Sequence, residues 1–460
     1  QVEDAGELCG GSEQSTQAMF DPIESVVTPP TTAGGAHFLS GQVMGKRLWV
    51  AGSQDGVVSF DFPTPTPASK PKLNGWTVHG KPFCNHLLVA ENSLFCSSRL
   101  AYMNVLELNP ATGEPSQKIT LNLDKGTHTE GMARHGDILY IANHSKGLLG
   151  LQVKAPYKPV KLSSPAALAS SWDVELIDKK RLVVADGRHG LVVLAADGPS
   201  ALKPKILAKL PMPGVAAFLT SQGNQVAVGA LSGGLRMVTI DDSGTPWLQG
   251  SLKTRGMVYG VHFDKNLVLA AAGHHLVAID RPPATQQTQG KLLLRALQPS
   301  FYFALDIDSF ADDSVLTSEF QGVRRLKRNP DAPLTALLET NLHIFSRLTN
   351  VGEPIKGKLH IRNLGAKPLK IGSIVFNEGL QVSGKKLVLL KDKTVEPGKS
   401  FAFDIAVQKT IKGAVKHELV VNSNDPAHPQ TLIAVLEIAH LRPGDALPAT
   451  TYKTATGEQV

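Results

Sequence analysis

The sequence lacks long apolar segments. No uninterrupted apolar run in its 460 residues approaches the roughly 18 residues that a membrane-spanning helix needs, so no segment is expected to cross a bilayer. Charged residues make up 19% and hydrophobic residues 42% of the chain, a balance typical of folded proteins and not of disordered ones. A chain of this length exceeds one ordinary core, so we expect two or three domains.

The sequence also lacks the motifs of known catalysts. It contains no GxSxG nucleophile elbow, no phosphate-binding P-loop, no HExxH zinc helix and no GxGxxG after a strand. Calcium loops of the DxDxDG type and cysteine pairs with zinc-site spacing are absent as well. These absences favour a binding protein over an enzyme.

Only three cysteines occur. Cys84 and Cys96 fall in neighbouring apolar runs separated by the turn-like sequence AENS, so either a disulfide across a hairpin or two buried thiols fits them. Cys9 lies in a polar, glycine-rich leader without a local partner, so it pairs with another chain or stays free. Because the first residue is Gln1 rather than Met, we expect that a segment, most commonly a secretory signal, has been removed. The chain is therefore predicted to be exported to the periplasm, the cell surface or the medium.

The net charge of +7 lies almost entirely in one C-terminal segment. Residues 341–440 carry 14 Lys and Arg against 8 Asp and Glu, a net charge of +6. Lysines such as Lys356, Lys358, Lys367 and Lys370 are scattered singly along predicted strands without interleaved aromatic residues. This pattern is typical of a solvated strand face, so no nucleic-acid partner is predicted.

The chain contains an internal repeat. Seven segments share one layout, in which an apolar strand ends in a polar turn and a second apolar strand follows; an example is LVVADGRHGLVVLAA. The segments start 41 to 48 residues apart, at Leu48, Leu94, Leu139, Leu182, Val226, Leu267 and Val315. Four short strands in about 44 residues is the period of a propeller blade, and the alternation of period two argues against a helical solenoid. Residues 33–335 are therefore predicted to form a seven-bladed β-propeller.

The repeats resemble LVIVD repeats, which form propellers in bacterial and archaeal surface or exported proteins. The resemblance is best in SWDVELIDKKRLVVADGRHGLVVLAADGP and looser in MVYGVHFDKNLVLAAAGHHLVAID. It covers about residues 36–335 and weakens at both ends. Residues 1–32 are predicted to be a partly disordered leader, in which the segment around 17–32 is a candidate for the outer strand that closes the ring.

The repeat period is lost from about Leu334. Residues 336–440 contain about seven short strands with turns every 8–14 residues, as a β-sandwich requires. Asn363 and Gly365 suit one turn, and Asn424-Asp425-Pro426 suits another. HIRNLGAKPLKI and VNSNDPAHPQTLIAVLEI resemble the ASH/Hydin-type and choice-of-anchor D family of immunoglobulin-like domains, which bind or space other proteins. The fold class is thus predicted as all-β, with a propeller followed by an immunoglobulin-like sandwich.

The last segment, residues 441–460, does not continue the sandwich. LRPGDALPATTYKTATGEQV resembles the opening of thioredoxin-like redoxin domains, with a PGDxxP sequence before a TxGxxV hairpin. Two interpretations stay open for it: the start of a redoxin domain, or a disordered tail.

A propeller brings distant residues together at one rim, because the start of each innermost strand faces the turn between the second and third strands. Predicted strand starts carry His37, Asn85, His128, Glu130, Trp172, Asp173, Tyr259, Tyr302 and Asp306. The facing turns carry Asp55, Asn143, His144, Asp186, Arg188, His189, His274, His275, Glu319 and Gln321.

Three interpretations of this rim stay open. The first is a solvated funnel without a ligand. The second is a transition-metal site on imidazole groups, of which only one from the His274–His275 pair would face the channel because neighbours on a strand point to opposite faces. The third is a recognition surface with aromatic anchors among polar groups. The metal candidates are His128, His144, His189 and His274, and the binding candidates are Trp172, Asp173, Tyr259, Tyr302, Asp186, Arg188 and Glu130.

These observations lead to one preferred function and two alternatives. We expect an exported, non-enzymatic binding or scaffold protein whose propeller rim holds a protein, peptide or glycan. The first alternative is a metal-dependent enzyme with a histidine and carboxylate site at the channel mouth. The second is an accessory to a redoxin-type redox protein.

Overall fold

In the computed structural model, the described part of the chain is built from β-strands. The structure describes residues 20–27, 38–44, 47–61, 77–79, 83–165, 167–197, 201–254, 256–285, 290–292, 294–310, 314–320, 322–329, 334–340, 344–349, 356–376, 380–382, 392–407, 414–426 and 429–439. Across these residues no helix has the length and apolar character needed to cross a membrane. The chain divides into two compact units, here called the repeat unit (residues 17–332) and the C-terminal unit (residues 333–460).

The repeat unit begins with four antiparallel four-stranded sheets, each in sequential order. The first contains β2 (Ser40–Met44), β3 (Arg47–Ala51), β4 (Val57–Asp61) and β5 (Thr77–His79). The second contains β6 (His86–Ala90), β7 (Ser93–Ser97), β8 (Tyr102–Leu108) and β9 (Pro115–Asn122). The third contains β10 (Met132–His135), β11 (Ile138–Ala142), β12 (Leu148–Gln152) and β13 (Pro159–Val160). The fourth contains β14 (Asp173–Asp178), β15 (Arg181–Ala185), β16 (Leu191–Ala195) and β17 (Lys205–Leu210).

Two further sheets complete the repeat unit. One contains β18 (Phe218–Gln222), β19 (Gln225–Gly229), β20 (Leu235–Ile240) and β21 (Pro246–Leu252), with β24 (Gly290–Lys291) added in parallel to β21. The other has six strands in the order β1-β27-β26-β25-β23-β22. These are β1 (Phe20–Val27), β27 (Gly322–Arg328), β26 (Ser314–Glu319), β25 (Leu294–Phe310), β23 (Leu267–Asp280) and β22 (Gly260–Asp264).

Burial follows the predicted repeat. Each repeat segment starts in the second of the four successive strands of its repeat. Second strands such as β7 and β19 are buried along their whole length. The outer strand β17 instead alternates between exposed and partly buried residues. A sheet inside the stack is covered on both faces, so its central strands read as continuous apolar runs, while the outermost strand keeps one face in water.

Neighbouring sheets bury each other's faces. One core cluster joins Val183 and Val193 of the fourth sheet to Val226 and Val238 of the fifth. Another cluster joins Leu48 of the first sheet to Leu316 and other residues of the last sheet. The innermost strands contact one another in the order β2, β6, β10, β14, β18, β22 and β25, and β25 contacts β2. A single such sheet cannot bury its own faces, so this closed series supplies the core. The predicted all-β, propeller-like architecture is confirmed.

The structure differs from the predicted strand pattern at residues 267–280. The sequence predicts two strands with a turn at His274 and His275, but β23 runs through this point as one element. Gly273 adopts a φ of 65°, the residues before it pair with β22, and Gly273 and the residues after it pair with β25, so strand pairing continues through this point. The last two repeats therefore share a single six-stranded sheet.

The N-terminal segment forms the edge of the last sheet. β1 pairs antiparallel with β27, from Phe20 opposite Arg328 to Val27 opposite Gly322. Phe20 is 2% exposed and packs in a cluster with Leu267 and Leu326. The last sheet is thus built from residues near both ends of the repeat unit.

The C-terminal unit contains two sheets. One has the order β28 (Leu338–Thr340), β30 (Lys356–Asn363), β34 (Ser400–Val407) and β32 (Leu380–Val382). The other has the order β29 (Ile344–Thr349), β36 (Gln430–Ala439), β35 (Ala414–Ser423), β31 (Leu369–Phe376) and β33 (Lys393–Val395). Both sheets contribute buried residues to one apolar cluster, including Leu359 and Phe403 from the first and Leu419 from the second.

The predicted turn residues of this unit have structural roles. The Asn363 amide donates hydrogen bonds to the carbonyls of Lys367 and Val395, at 2.7 and 2.9 Å. A Cβ at Gly365 would lie 2.3 Å from the carbonyl oxygen of Thr335, which only glycine avoids. The Asp425 carboxylate accepts the backbone N–H of Leu338 at 2.7 Å.

The packing of β1 gives a first prediction. Phe20→Ala should lower the free energy of unfolding of the repeat unit by about 3 kcal/mol, because it empties a buried site between strands from both ends of the unit. Urea denaturation of the purified protein measures this change. Leu207→Ala, at an exposed position of β17, is the matched control. Equal effects of the two substitutions would contradict the proposed role of β1.

Candidate functional site

A cavity of about 360 Å³ lies where the innermost strands begin. Its lining contains residues from the start of six innermost strands and from the equivalent position inside the long strand β25, at intervals that recur with the repeat, and from two turns that face these positions. These residues are Leu39, Ser40, Asn85, His86, Glu130, Gly131, Trp172, Asp173, Ala217, Phe218, Tyr259, Leu305 and Asp306 from the strands, with Arg99 and Leu231 from the turns.

Backbone bridges hold the turns against the strand starts. In four places a residue in the turn after a second strand pairs with the residue two positions before the next innermost strand. The four pairs are Ser53 with Cys84, His144 with Ser171, Gly187 with Ala216, and Leu231 with Val258. Strand starts and turns therefore share one rim, where backbone hydrogen bonds join them.

These turns use an uncommon backbone conformation. Ser53, His144 and Leu231 have φ values of 49°, 41° and 45°, and Gly187 has 60° at the equivalent position. Residues with a side chain rarely adopt positive φ, and such positions are often found at functional sites. Leu231 lines the cavity, and His144 contacts Glu130 and Trp172, which also line it.

Glu130 is the polar centre of one side of the rim. Its carboxylate accepts a hydrogen bond from the Arg99 Nε and lies 2.8 Å from the His144 Nε2. The Arg99 guanidinium also lies over the Trp172 ring at 5.8 Å, and the His144 ring is 4.8 Å from that ring. Trp172 is therefore held between two groups that Glu130 positions.

Aromatic residues form the other side. The Tyr259 ring lies 5.1 Å from Phe303 and 6.2 Å from Phe218. The His274 ring packs on Phe303 at 5.2 Å. Aromatic pairs at these distances stabilise each other beyond their buried area, which makes this side of the rim a firm apolar surface.

Two carboxyl groups at the cavity join neighbouring innermost strands. The Asp173 carboxylate accepts the N–H of Val174 in its own strand and the N–H of Leu219 in the next innermost strand, both at 2.8 Å. Asp306 does the same with the N–H groups of Ile307 at 2.9 Å and Gly41 at 2.8 Å. The two aspartates occupy equivalent positions in the repeat.

A glycine in the preceding innermost strand makes room for each carboxyl group. A Cβ at Gly131 would lie 1.7 Å from the Oδ1 of Asp173. A Cβ at Gly260 would lie 2.7 Å from the Oδ1 of Asp306. Any side chain at these two positions would displace the carboxylate, so each aspartate requires a glycine in the preceding innermost strand.

Burial shifts the protonation of these groups. It raises the pKa of Asp173 well above its usual range, with Glu175 as the next cause. Burial also raises the pKa of Asp306 to about 7 and that of Glu175 to about 7. The pKa of His86 is lowered by burial. The charged forms of Asp173, Asp306 and His86, which line the cavity, are thus poorly solvated.

The structure brings four of the seven predicted binding residues together. Glu130, Trp172, Asp173 and Tyr259 line the cavity. The other three behave differently. Asp186 is buried and accepts the N–H groups of Ala169 and Ser170, which is a turn-stabilising role, and Arg188 is exposed and does not line the cavity. The side chain of Tyr302 lies outside the described part of the chain, as do His37 and Gln321.

The predicted metal candidates do not converge. His128 and His144 have ring centroids 6.1 Å apart, whereas His189 lies near Asp186 and His274 lies against Phe303. Within the described ranges no three His, Cys, Asp or Glu residues are placed to hold a metal ion.

Sequence reasoning missed Arg99, His86 and Phe218 at the cavity. Arg99 lies in the turn after a second strand, at the position that His144 occupies one repeat later. Aligning the repeats would therefore have placed Arg99 at the rim. Phe218 follows Asp173 by 45 residues and could have been found in the same way.

Cys84 and Cys96 lie close to this rim. The structure joins them as a disulfide with Cα atoms 5.6 Å apart. The backbone of Cys84 also pairs with that of Ser53 in the turn after β3. Cys9 lies outside the described residues.

The chain is similar to solved β-propellers. It aligns with the β-propeller domain of Cps50 (Swd1) from Myceliophteria thermophila at a TM-score of 0.52 and 11% identity, covering 67% of this chain and 100% of that domain. The WD40 repeats of RRP9 align at 0.50 and 11%, covering 67% and 100%. A chain of the mitotic checkpoint complex aligns at 0.50 and 10%, covering 69% and 95%. No protein-family model and no curated protein sequence matches the chain. At these identities the likeness shows the propeller fold alone.

The raised pKa values predict how stability depends on pH. Between about pH 4.5 and pH 7 the folded protein keeps protons on Asp306 and Glu175 that the unfolded chain has lost. The free energy of unfolding contributed by these groups therefore falls as pH rises and levels off above about pH 7, with about 1.4 kcal/mol for each unit of pKa difference. Glu175→Gln should make the free energy of unfolding fall less between pH 5 and pH 7. Urea denaturation at pH 5, 6, 7 and 8 measures this. An unchanged slope in this variant would contradict the prediction.

Proposed function

We propose that this protein is an exported, non-enzymatic binding protein that holds a protein partner on the rim around the cavity. The observation that carries the proposal is a group of exposed apolar side chains on this rim. Leu100, Met257 and Phe320 are 44%, 45% and 37% exposed, and each lies in a turn or strand start that faces the cavity side. Apolar side chains exposed around a cavity are typical of interaction sites.

The composition of the rim supports a protein or peptide over a glycan. Its centre contains Trp172, Tyr259 and Arg99, the residue types that contribute most to protein–protein binding. The apolar side chains around this centre would exclude water from it. A glycan partner would need a larger share of hydrogen-bonding groups than these apolar residues supply.

We further infer that the repeat unit has seven blades of the LVIVD type. The support is the seven repeat segments and the seven strand starts that line one cavity at intervals of 42 to 46 residues. The C-terminal unit is proposed to be an immunoglobulin-like sandwich of the ASH/Hydin type that spaces the propeller or adds a second contact. Two sheets sharing one apolar core are consistent with this assignment.

Two alternatives have weaker support. A metal-dependent enzyme would need a ligand set, and no such set is found in the described part of the chain. A redoxin-linked role depends on residues 441–460, which lie outside the described residues.

Site-specific crosslinking tests the binding proposal. A photo-crosslinking amino acid is placed at Leu100 or Met257 on the rim, or at Leu207 on the outer strand β17 as a control, in cells that produce the protein. We expect one protein to be crosslinked from both rim positions and not from the control. Leu100→Asp with Phe320→Asp should weaken binding of that partner at least tenfold, since both place a charge at an apolar contact. Crosslinking only from the control position would refute the proposal.

The disulfide supports export, because disulfides persist mainly in oxidising compartments. In protein from its native source, denatured without reductant, Cys84 and Cys96 should resist alkylation and become reactive after reduction. Cys9 serves as the internal comparison. Peptide mass spectrometry reads the result. Full alkylation of Cys84 and Cys96 before reduction would contradict an oxidising location.

A further inference from the structure

We propose that the cavity at the centre of the rim receives a basic side chain, a lysine or an arginine, of the bound partner. This inference rests on the proposed binding function and specifies its chemistry. Three features of the cavity carry it: two carboxyl groups without a cation, apolar walls that suit a methylene chain, and aromatic faces near the mouth.

The first feature is the excess of acidic groups. Asp173 and Asp306 both line the cavity, and their hydrogen bonds come from backbone N–H groups and, for Asp306, the Ser40 side chain. Neither has a cationic partner among the described residues. A carboxylate has about four acceptor positions, so each retains capacity for a donor that enters the cavity.

The cationic side chain already present is engaged elsewhere. Arg99 is the one arginine or lysine that lines the described cavity, and it pairs with Glu130 at the rim. That pair balances its own charge and leaves the two aspartates uncompensated. His86 also lines the cavity, but burial lowers its pKa and keeps it neutral. A cation that enters the cavity favours the charged form of both aspartates and lowers their raised pKa values, and the resulting ion pair is strong because little water screens it.

The second feature is the apolar wall. Leu39, Ala217, Leu231 and Leu305 line the same cavity as the two carboxyl groups. Lysine and arginine combine a charged head with an apolar stem of three or four methylene groups, and they bury the stem against apolar surface. A small inorganic cation would leave these walls without a partner, and an acidic side chain would add a third poorly solvated carboxyl group with no cation to pair with it.

The third feature is the set of aromatic rings. Phe218 and Tyr259 line the cavity on consecutive innermost strands. Aromatic faces attract ammonium and guanidinium groups that pass within about 6 Å. The volume of about 360 Å³ lies at the low end of the range for ligand pockets, which suits one side chain and not a folded segment.

Capped pentapeptides test this inference on the intact protein. The probes are acetyl-Gly-Gly-X-Gly-Gly-amide, in which X is Lys, Arg, Leu or Glu, and calorimetry measures their binding. We expect the Lys peptide, the Arg peptide or both to bind at least tenfold more tightly than the Leu and Glu peptides. Equal binding of all four, or tighter binding of the Glu peptide, would overturn the inference.

Substitutions locate the binding. Asp173→Asn and Asp306→Asn each keep one oxygen that accepts one of the two backbone N–H groups and lose the acceptor of the other. Each should weaken binding of the basic peptide at least tenfold. Asp137→Asn removes the same charge from an exposed turn beyond the far end of β10 and should leave binding unchanged. Ala217→Phe narrows the cavity while both carboxyl groups stay in place, and it should also abolish binding. Thermal unfolding checks that each variant is folded.

The results separate the two proposals. If the rim crosslinks to a partner while no basic peptide binds, the cavity inference is wrong and the binding function stands. If a basic peptide binds and depends on Asp173 and Asp306 while no rim partner is found, the cation-binding cavity is supported and the protein-binding function is overturned. If binding survives both Asn variants and Ala217→Phe, the cavity is not the site.

Discussion

The repeat unit depends on how its innermost strands are joined where neighbouring sheets meet. At that place the edge of each first strand has backbone N–H groups that no strand of its own sheet covers, and an unpaired buried N–H is costly. A side-chain carboxylate solves this at two equivalent places, because Asp173 accepts the N–H of Leu219 and Asp306 accepts the N–H of Gly41. The second contact joins the last sheet to the first. One residue type therefore both satisfies the backbone and closes the series of sheets.

The aspartates that join neighbouring innermost strands also determine the chemistry of the cavity. A carboxylate that reaches the next strand must pass beside the previous one, so Gly131 and Gly260 are needed there. The carboxyl groups are then held away from solvent, which raises the pKa of Asp306 to about 7. Structural joining and an acidic cavity are consequences of one arrangement. A ligand that supplies a positive charge would interact with groups that the fold already requires.

The sequence predicts the periodic parts of this protein well, because burial on both faces demands continuous apolar runs at a fixed interval. LVVADGRHG marks β15 and its turn, and the same layout marks the equivalent strands elsewhere. Trp172, Asp173, Glu130 and Tyr259 were predicted at the cavity from strand starts alone.

The residues and strands that the sequence did not predict correctly have local causes. Asp186 is polar and stands in a turn, yet its carboxylate turns inward to backbone N–H groups, which no pattern of residue types reveals. The merged strand β23 depends on pairing that continues through Gly273, first with β22 and then with β25. Arg99 is recognised only when its turn is aligned with that of His144.

The pairing of β1 with β27 has a consequence for how the chain folds. Residues 20–27 are made early and must wait for residues 322–328, about 300 positions later, before they find their strand partner. Contacts between such distant segments form late, because the intervening loop loses much entropy when it closes. Until then both segments are exposed strand edges that can pair with another chain. The interval between synthesis and closure is thus the period when this protein is most open to aggregation, and a chaperone that covers either edge would protect it.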